Sequence, residues 1–582
     1  MLSTDISTLA KTSQEFVAAT IESSSLKEVN KLNNSLIKEF SKYKSSKIGK
    51  SSILDNMIKQ AEKRKDKLLE KIEKRHKKFS ELFLPPDILA QLPNKVRDLT
   101  EERVELQGTL DVIISDLPNE GSEIEFHLTP DLEFPDEYYR LYLEAEEIPT
   151  LAGENVKITG VKFKDDNRVY VEEDDIIPGD SSVKGISTQT GTKKILAILY
   201  NFSNSASQPW TKETIYARLF TNSDSLRTHY LQSSFNKLDF TGEVTPWFTI
   251  NDDNLTCDYY NWGTLARQAA TNAGYNLSNY QHIMHISPPV STSVCNWAGK
   301  GYMPGSQSWI NGYYNGQRTY VHEIGHNLGL AHAASYTCGS QQISNTCTVA
   351  DVYGDQNGVM GKFNYFQPNE PQKYILGWYN SSQYQTITSN GTFTISPSET
   401  ATGTLKQIRI PRPGTSEYYY ISYRQPIGFD AGLASGVTKG VSVHLWTDYS
   451  VAETKMLFMT PGSSYTNSAL WDGGSFVDSI NGITVTQVSH DANGATVNVN
   501  FANATCARAN PTVTLNPTSG SGNMVSYVVG VKNNNSSGCS SASYNLTATT
   551  SSGWTYLYNS SSLNLASGAT GNSTLTITAP FS

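Results

Sequence analysis

Val321-His322-Glu323-Ile324-Gly325-His326-Asn327-Leu328-Gly329-Leu330-Ala331-His332 decides how this 582-residue chain is read. Its pattern is H-E-x-x-H-x-x-G-x-x-H. From Arg318 onward the residues permit a helix that continues through Leu328, with His322 and His326 one turn apart. Side chains at i and i+4 share a helical face, so the two imidazoles project toward one point and can bind one metal. Glu323 stands beside them, off the coordination axis but close enough to take a proton from water at the metal. Gly329 can adopt positive φ and end the helix, turning the chain so that His332 arrives as a third ligand. Three nitrogens leave a fourth position open, which separates a catalytic zinc from a structural one. The expected cofactor is therefore Zn2+.

A second stretch, Asp351-Val352-Tyr353-Gly354-Asp355-Gln356-Asn357-Gly358-Val359-Met360-Gly361, sets Met360 inside a Gly-rich turn 28 residues after His332 (360 − 332). An extended histidine motif followed by a methionine turn is the metzincin pattern, and Met360 is expected to pack beneath the histidines without coordinating. Together with Gly301-Tyr302-Met303-Pro304-Gly305-Ser306-Gln307-Ser308-Trp309-Ile310-Asn311-Gly312, these stretches resemble the gametolysin family of metzincin metallopeptidases. The resemblance covers roughly residues 193–379, with a looser likeness to 501. It implies a secreted zinc endopeptidase, with His322, His326 and His332 as ligands, Glu323 as base and Met360 as the methionine turn. The chain departs from astacin-like relatives two residues after the Met, where it has Lys362 in place of Tyr. Tyr353 and Tyr365 are the candidates for a phenol at the oxyanion.

The charge balance is −9, from 46 Lys+Arg against 55 Asp+Glu, and about twenty of the basic residues fall in the first hundred. The remainder is acidic, which argues against nucleic acid as a partner. The longest apolar run is Ile195 to Tyr200, far short of the roughly 18 residues needed to span a bilayer. All six cysteines lie late in the chain, as neighbours Cys257 and Cys295, Cys338 and Cys347, Cys506 and Cys539. An even count with local grouping points to disulfides and an oxidising compartment, and of the 15 connectivities the local one is preferred. An extracellular or periplasmic location is expected, although residues 1–11 show neither the basic nor the apolar region of an export signal.

Read in order, residues 1–100 carry apolar positions at helical spacing among Lys and Glu, ended by Pro85-Pro86. Residues 101–178 alternate apolar and polar with turn residues between, predicting a small OB-like β-barrel that serves as a pro-region. Residues 179–193 read as a linker, the natural place for activation cleavage. Pro178-Gly179-Asp180 has a faint likeness to the aspartate that blocks zinc in astacin proforms. A cysteine thiolate could not do this, since no Cys precedes Cys257. Residues 194–380 read as the peptidase domain, with helices over 212–237, 262–273 and 371–378. His282 and His285 fall on a buried strand and read as structural. Residues 381–503 predict a β-sandwich, and 504–582 an Ig-like or fibronectin-like accessory domain that stops short of a complete module.

The fold class is thus multidomain, an α+β metzincin-like catalytic domain between a helical plus β-barrel pro-region and β-sandwich domains. The function expected is a secreted, monomeric zinc endopeptidase, made as a proenzyme and acting on extracellular or cell-wall proteins or glycoproteins. A cell-wall polymer is the partner expected of the C-terminal domains. The rival is a cell-surface adhesion or glycan-binding protein with a vestigial zinc site.

Overall fold

The computed structural model describes residues 27–73, 82–117, 121–130, 138–143, 151–171, 176–178, 188–402, 405–447, 452–502, 506, 508–516, 523–535, 539–550 and 553–580. It is mostly β, with few helices, and divides into two compact units. Most of residues 1–185 form the first unit; residues 115–122 and most of the chain from Ile186 onward form the second.

In the first unit, helices α1 (27–45) and α2 (Lys50–Glu73) bury Leu36, Phe40, Met57 and Ala61 against Leu84, Leu92 and Val96. Six strands follow: β1 (Glu101–Asp116), β2 (Ser122–Pro130), β3 (Tyr139–Leu143), β4 (Asn155–Phe163), β5 (Arg168–Val171) and β6 (Ile176–Pro178). Five of them close on themselves in the order β1-β2-β3-β5-β4-β1, with β3 and β5 parallel and β4 antiparallel to β1 and β5. Closure removes the unpaired edges that an open sheet would expose. Arg64 of α2 reaches the start of β1. Its guanidinium makes a two-pronged, buried pair with Glu101, whose Oε1 also accepts from the Leu84 amide at 2.6 Å.

The second unit opens on β7 (Gly191–Phe202), whose run Ile195 to Tyr200 is wholly buried. A parallel sheet forms around it from β8 (Leu238–Val244), β10 (His282–Ile286) and β12 (Gln307–Ile310), with β9 (Phe248–Ile250) pairing the far end of β7. One strand runs the other way: β11 (Gly299–Tyr302) is antiparallel to β12. Strands buried on both faces read as continuous apolar runs, which is the pattern β7 and β10 show. His285 on β10 stacks on Trp309 and lies 3.0 Å from the Ser308 carbonyl; His282 packs beside Phe240. Against this sheet pack α3 (Leu226–Ser233), α4 (Tyr259–Asn272) and α5 (Gln317–Asn327). The single helix expected over 212–237 is broken. A short helix Lys212–Tyr216 and a wider turn Ala217–Thr221 end where Asn222 becomes extended, and Ser225 caps a new helix by accepting from the Thr228 amide. The helix expected over 371–378 is α6 (Glu370–Ile375), capped by Asn369.

Beyond the histidines, strand β13 (Ala333–Thr337) runs parallel to β20 (Thr454–Leu457), so strands on both sides of residue 380 share one eight-stranded sheet. A four-stranded sheet, Gly391–Ile395, Ser475–Asp478, Ile483–Asp491 and Gly494–Phe501, buries Phe476, Val485 and Val497 in the same core as Ile408, Tyr419 and Val443. The final strands form separate four- and two-stranded sheets around Val529, Val531 and Leu575. Disulfides join Cys257–Cys295, Cys338–Cys347 and Cys506–Cys539, and no cysteine is free.

Removing one partner of a buried ion pair costs about 3–5 kcal/mol because the other charge is left stranded. Glu101→Ala should therefore loosen α2 selectively, seen as faster amide hydrogen exchange there. Unchanged exchange would show that the pair does not hold the helices.

Candidate metal centre

Helix α5 is buried from Thr319 to Asn327, so every side chain in the motif is committed to the interior. Gly329 sits at φ +97°, which a side chain would oppose. That turn lets the Leu330 amide donate back to the Gly325 carbonyl at 2.9 Å. The chain reverses, and His332 comes round to face the helix. The three imidazoles meet, with ring centroids 4.9 to 5.4 Å apart.

Two of the rings are held by their far nitrogens. His322 Nδ1 lies 2.7 Å from the Val359 carbonyl, and His326 Nδ1 lies 2.8 Å from the Leu330 carbonyl. A carbonyl can only accept, so each Nδ1 carries the proton and each Nε2 presents a lone pair. Burial pushes both His322 and His332 down, His332 to about 4.

A fourth group faces these nitrogens. Asp116, the last residue of β1, puts Oδ2 at 2.9 Å from His322 Nε2, and Oδ1 at 2.9 Å from His332 Nε2 and 3.9 Å from His326 Nε2. All four ligand atoms lie within 4.8 Å of one another. Two inward lone pairs, a third imidazole and a carboxylate, all buried, form a pocket suited to a cation. The residues fit a metal ion, and nitrogen with carboxylate oxygen is a donor set that zinc accepts.

Glu323 lies beside the cluster with both carboxylate oxygens buried. Burial first, and the Asp116 charge second, raise its pKa well above the ordinary range. Its position depends on two glycines of β11. A Cβ at Gly299 would stand 2.1 Å from Glu323 Oε1, and one at Gly301 would stand 2.9 Å from His326 Cβ. Met360 lies under the helix: a Cβ on Gly325 would meet its sulfur at 2.5 Å, while the Met360 carbonyl accepts from the Ala333 amide at 3.0 Å. The methionine turn is pinned from below by buried Asp355, which is 3.0 Å from His444 Nε2 and accepts from Asn369.

The sequence-predicted residues His322, His326, His332, Glu323, Gly329 and Met360 are therefore brought together. Tyr353 is there also, its ring 4.0 Å from that of His332 and its hydroxyl donating to Asp116 at 2.7 Å. Tyr365 is not, since it stacks on His229 and donates to the Asp224 carbonyl. Asp180, considered as a blocking carboxylate, lies outside the described residues. Sequence reasoning missed Asp116, which ends an alternating strand 216 residues from His332 and carries no local signal. Arg318, one turn before His322, is a further member. It lines a cavity of about 100 Å3 with Asp116, Tyr353 and Lys362.

Moving a catalytic carboxylate by about 1 Å can cost about 100-fold in rate. Gly299→Ala, which forces Glu323 aside, should lose peptidase activity on that scale while still binding one metal per chain; wild-type turnover in this variant would contradict the placement of Glu323.

Residues 194–472 match the family described as gametolysin peptidase M11. A serralysin of Photorhabdus laumondii subsp. laumondii is 28% identical over 180 residues, 29% of this chain and 35% of that protein. A serralysin of Photorhabdus luminescens is 27% identical over 124 residues, 20% of this chain and 25% of that protein. The chain thus spans about a third or less of the length of these curated relatives. The family match begins within β7 and runs past β20, enclosing the three histidines, Glu323 and Met360, and over that region the chain is similar to the gametolysin family of metallopeptidases.

Proposed function

We propose that this protein is a zinc-dependent endopeptidase, exported, made as a proenzyme and active on extracellular or cell-wall proteins. The observation that carries the reading is the convergence of three imidazole Nε2 atoms beside a buried carboxylate, Glu323. His322, His326 and His332 would hold the metal. When bound, zinc supplies Lewis acidity, which polarises the scissile carbonyl and acidifies water.

The chain's own residues do the rest. The Val359 and Leu330 carbonyls fix the tautomers and orientation of two ligands. Glu323, raised by burial, accepts the proton from the attacking water and delivers it to the departing amine. Tyr353 stays a neutral phenol because burial and the Asp116 charge raise it far above its ordinary value. It is therefore a hydrogen-bond donor at all working pH, suited to the oxyanion that forms on the carbonyl.

Three disulfides support an oxidising compartment, and no helix among the described residues is long and apolar enough to cross a membrane. The five-strand barrel ahead of the catalytic strands supports a pro-region, and we take the protein to act as a monomer. The reading of a vestigial metal site gains no support from a cluster in which every ligand and the base are retained.

Glu323→Gln keeps the volume and removes the base. The variant should bind metal as the wild type does, measured by elemental mass spectrometry, and cleave an unfolded protein substrate about 100- to 10,000-fold more slowly. Full activity in Glu323→Gln, or activity of the wild type that survives a zinc chelator, would sink the proposal.

A further inference from the structure

We propose that Asp116 is the fourth protein ligand of the metal in the chain as made, closing the position that the substrate carbonyl and water require. This rests on the metallopeptidase reading of the three histidines and names how that site is regulated.

The carboxylate is directed at the cluster by every bond around it. The Asp116 carbonyl accepts from the Ala298 amide at 2.7 Å, just ahead of β11, and Ser115 Oγ accepts from Lys300 on β11. The Leu117 amide donates to the Gly121 carbonyl at 3.3 Å. The side chain is then steered by the Tyr353 hydroxyl, whose 2.7 Å bond to Oδ1 leaves Oδ2 turned to His322. The result is a carboxylate with contacts to all three imidazoles.

The electrostatics select a cation as the partner. With Nδ1 of His322 bonded to a carbonyl, its Nε2 lone pair faces Asp116 Oδ2 at 2.9 Å. Two electron-rich atoms at that distance repel unless positive charge lies between them. Three histidines and one aspartate make a closed, four-ligand site of the structural kind, whereas catalysis needs an open position. A thiolate cannot fill that role here, because all six cysteines are in disulfides. Asp116 also makes the hydrogen bond to Tyr353 that a developing oxyanion would take. Activation is then withdrawal of one carboxylate, which frees the fourth position and the phenol together.

The test uses the full chain loaded with cobalt(II), whose visible spectrum reports coordination, and acetohydroxamate as the probe of an open position. Wild type should show a spectrum unmoved by the probe. Asp116→Ala should bind it at least about tenfold more tightly, with a spectral shift, and cleave a protein substrate faster. Asp116→Asn, nearly isosteric and still able to accept from Tyr353, covers the case in which the alanine variant fails to fold. Zinc-edge X-ray absorption on the wild type alone should fit three imidazoles and a carboxylate. One metal per chain with equal probe binding in wild type and variants would overturn the assignment of Asp116 and leave the peptidase reading intact. Failure of the wild type to hold a metal would overturn both.

Discussion

Three imidazole nitrogens turned toward one point in a dry interior are costly unless a cation joins them, and much of the architecture exists to hold them so. Helix α5 supplies two at i and i+4, and the reversal at Gly329 supplies the third. The carbonyls of Val359 and Leu330 then decide which nitrogen of two rings is free. Because Val359 belongs to the methionine turn and Leu330 to the reversal, the imidazoles of His322 and His326 are oriented by the segments that bring the cluster together. Metal affinity and local folding are in this way one free energy.

Small residues carry a large share of the placement. Gly325 makes room for the Met360 sulfur beneath the helix, and Gly299 and Gly301 let β11 press against the other side, where Glu323 stands. Glu323 is thereby confined between a strand backbone and the helix that bears it. Burial raises its pKa, so the same confinement favours its protonated form.

What could be read from the sequence divides along the range of the interactions involved. The convergence of the three histidines, the place of Glu323 beside them, the reversal at Gly329 and the turn at Met360 were legible because each depends on fixed offsets along one helix or one turn. The three disulfides were legible because the partners are neighbours in sequence. Asp116 was not, since nothing in Ile113-Ile114-Ser115-Asp116 tells an aspartate that ends a strand from one that reaches a distant helix. The break at Asn222 was missed for a related reason: the apolar spacing runs on through it, and only the Ser225 cap shows that the backbone restarts. Tyr353 and Tyr365 were equivalent in the sequence and differ only by which segment each packs on. The continuity of the eight-stranded sheet across residue 380 comes from a parallel pairing between β13 and β20, which leaves no local trace.

The central claim is that one metal ion sits where the three Nε2 atoms converge. The most direct measurement is crystallographic diffraction from the full chain at the zinc edge, read as an anomalous difference map. The account predicts one strong peak about 2.0–2.1 Å from Nε2 of His322, His326 and His332. A zinc peak held by other residues, or none at this cluster after equilibration with zinc, would contradict it.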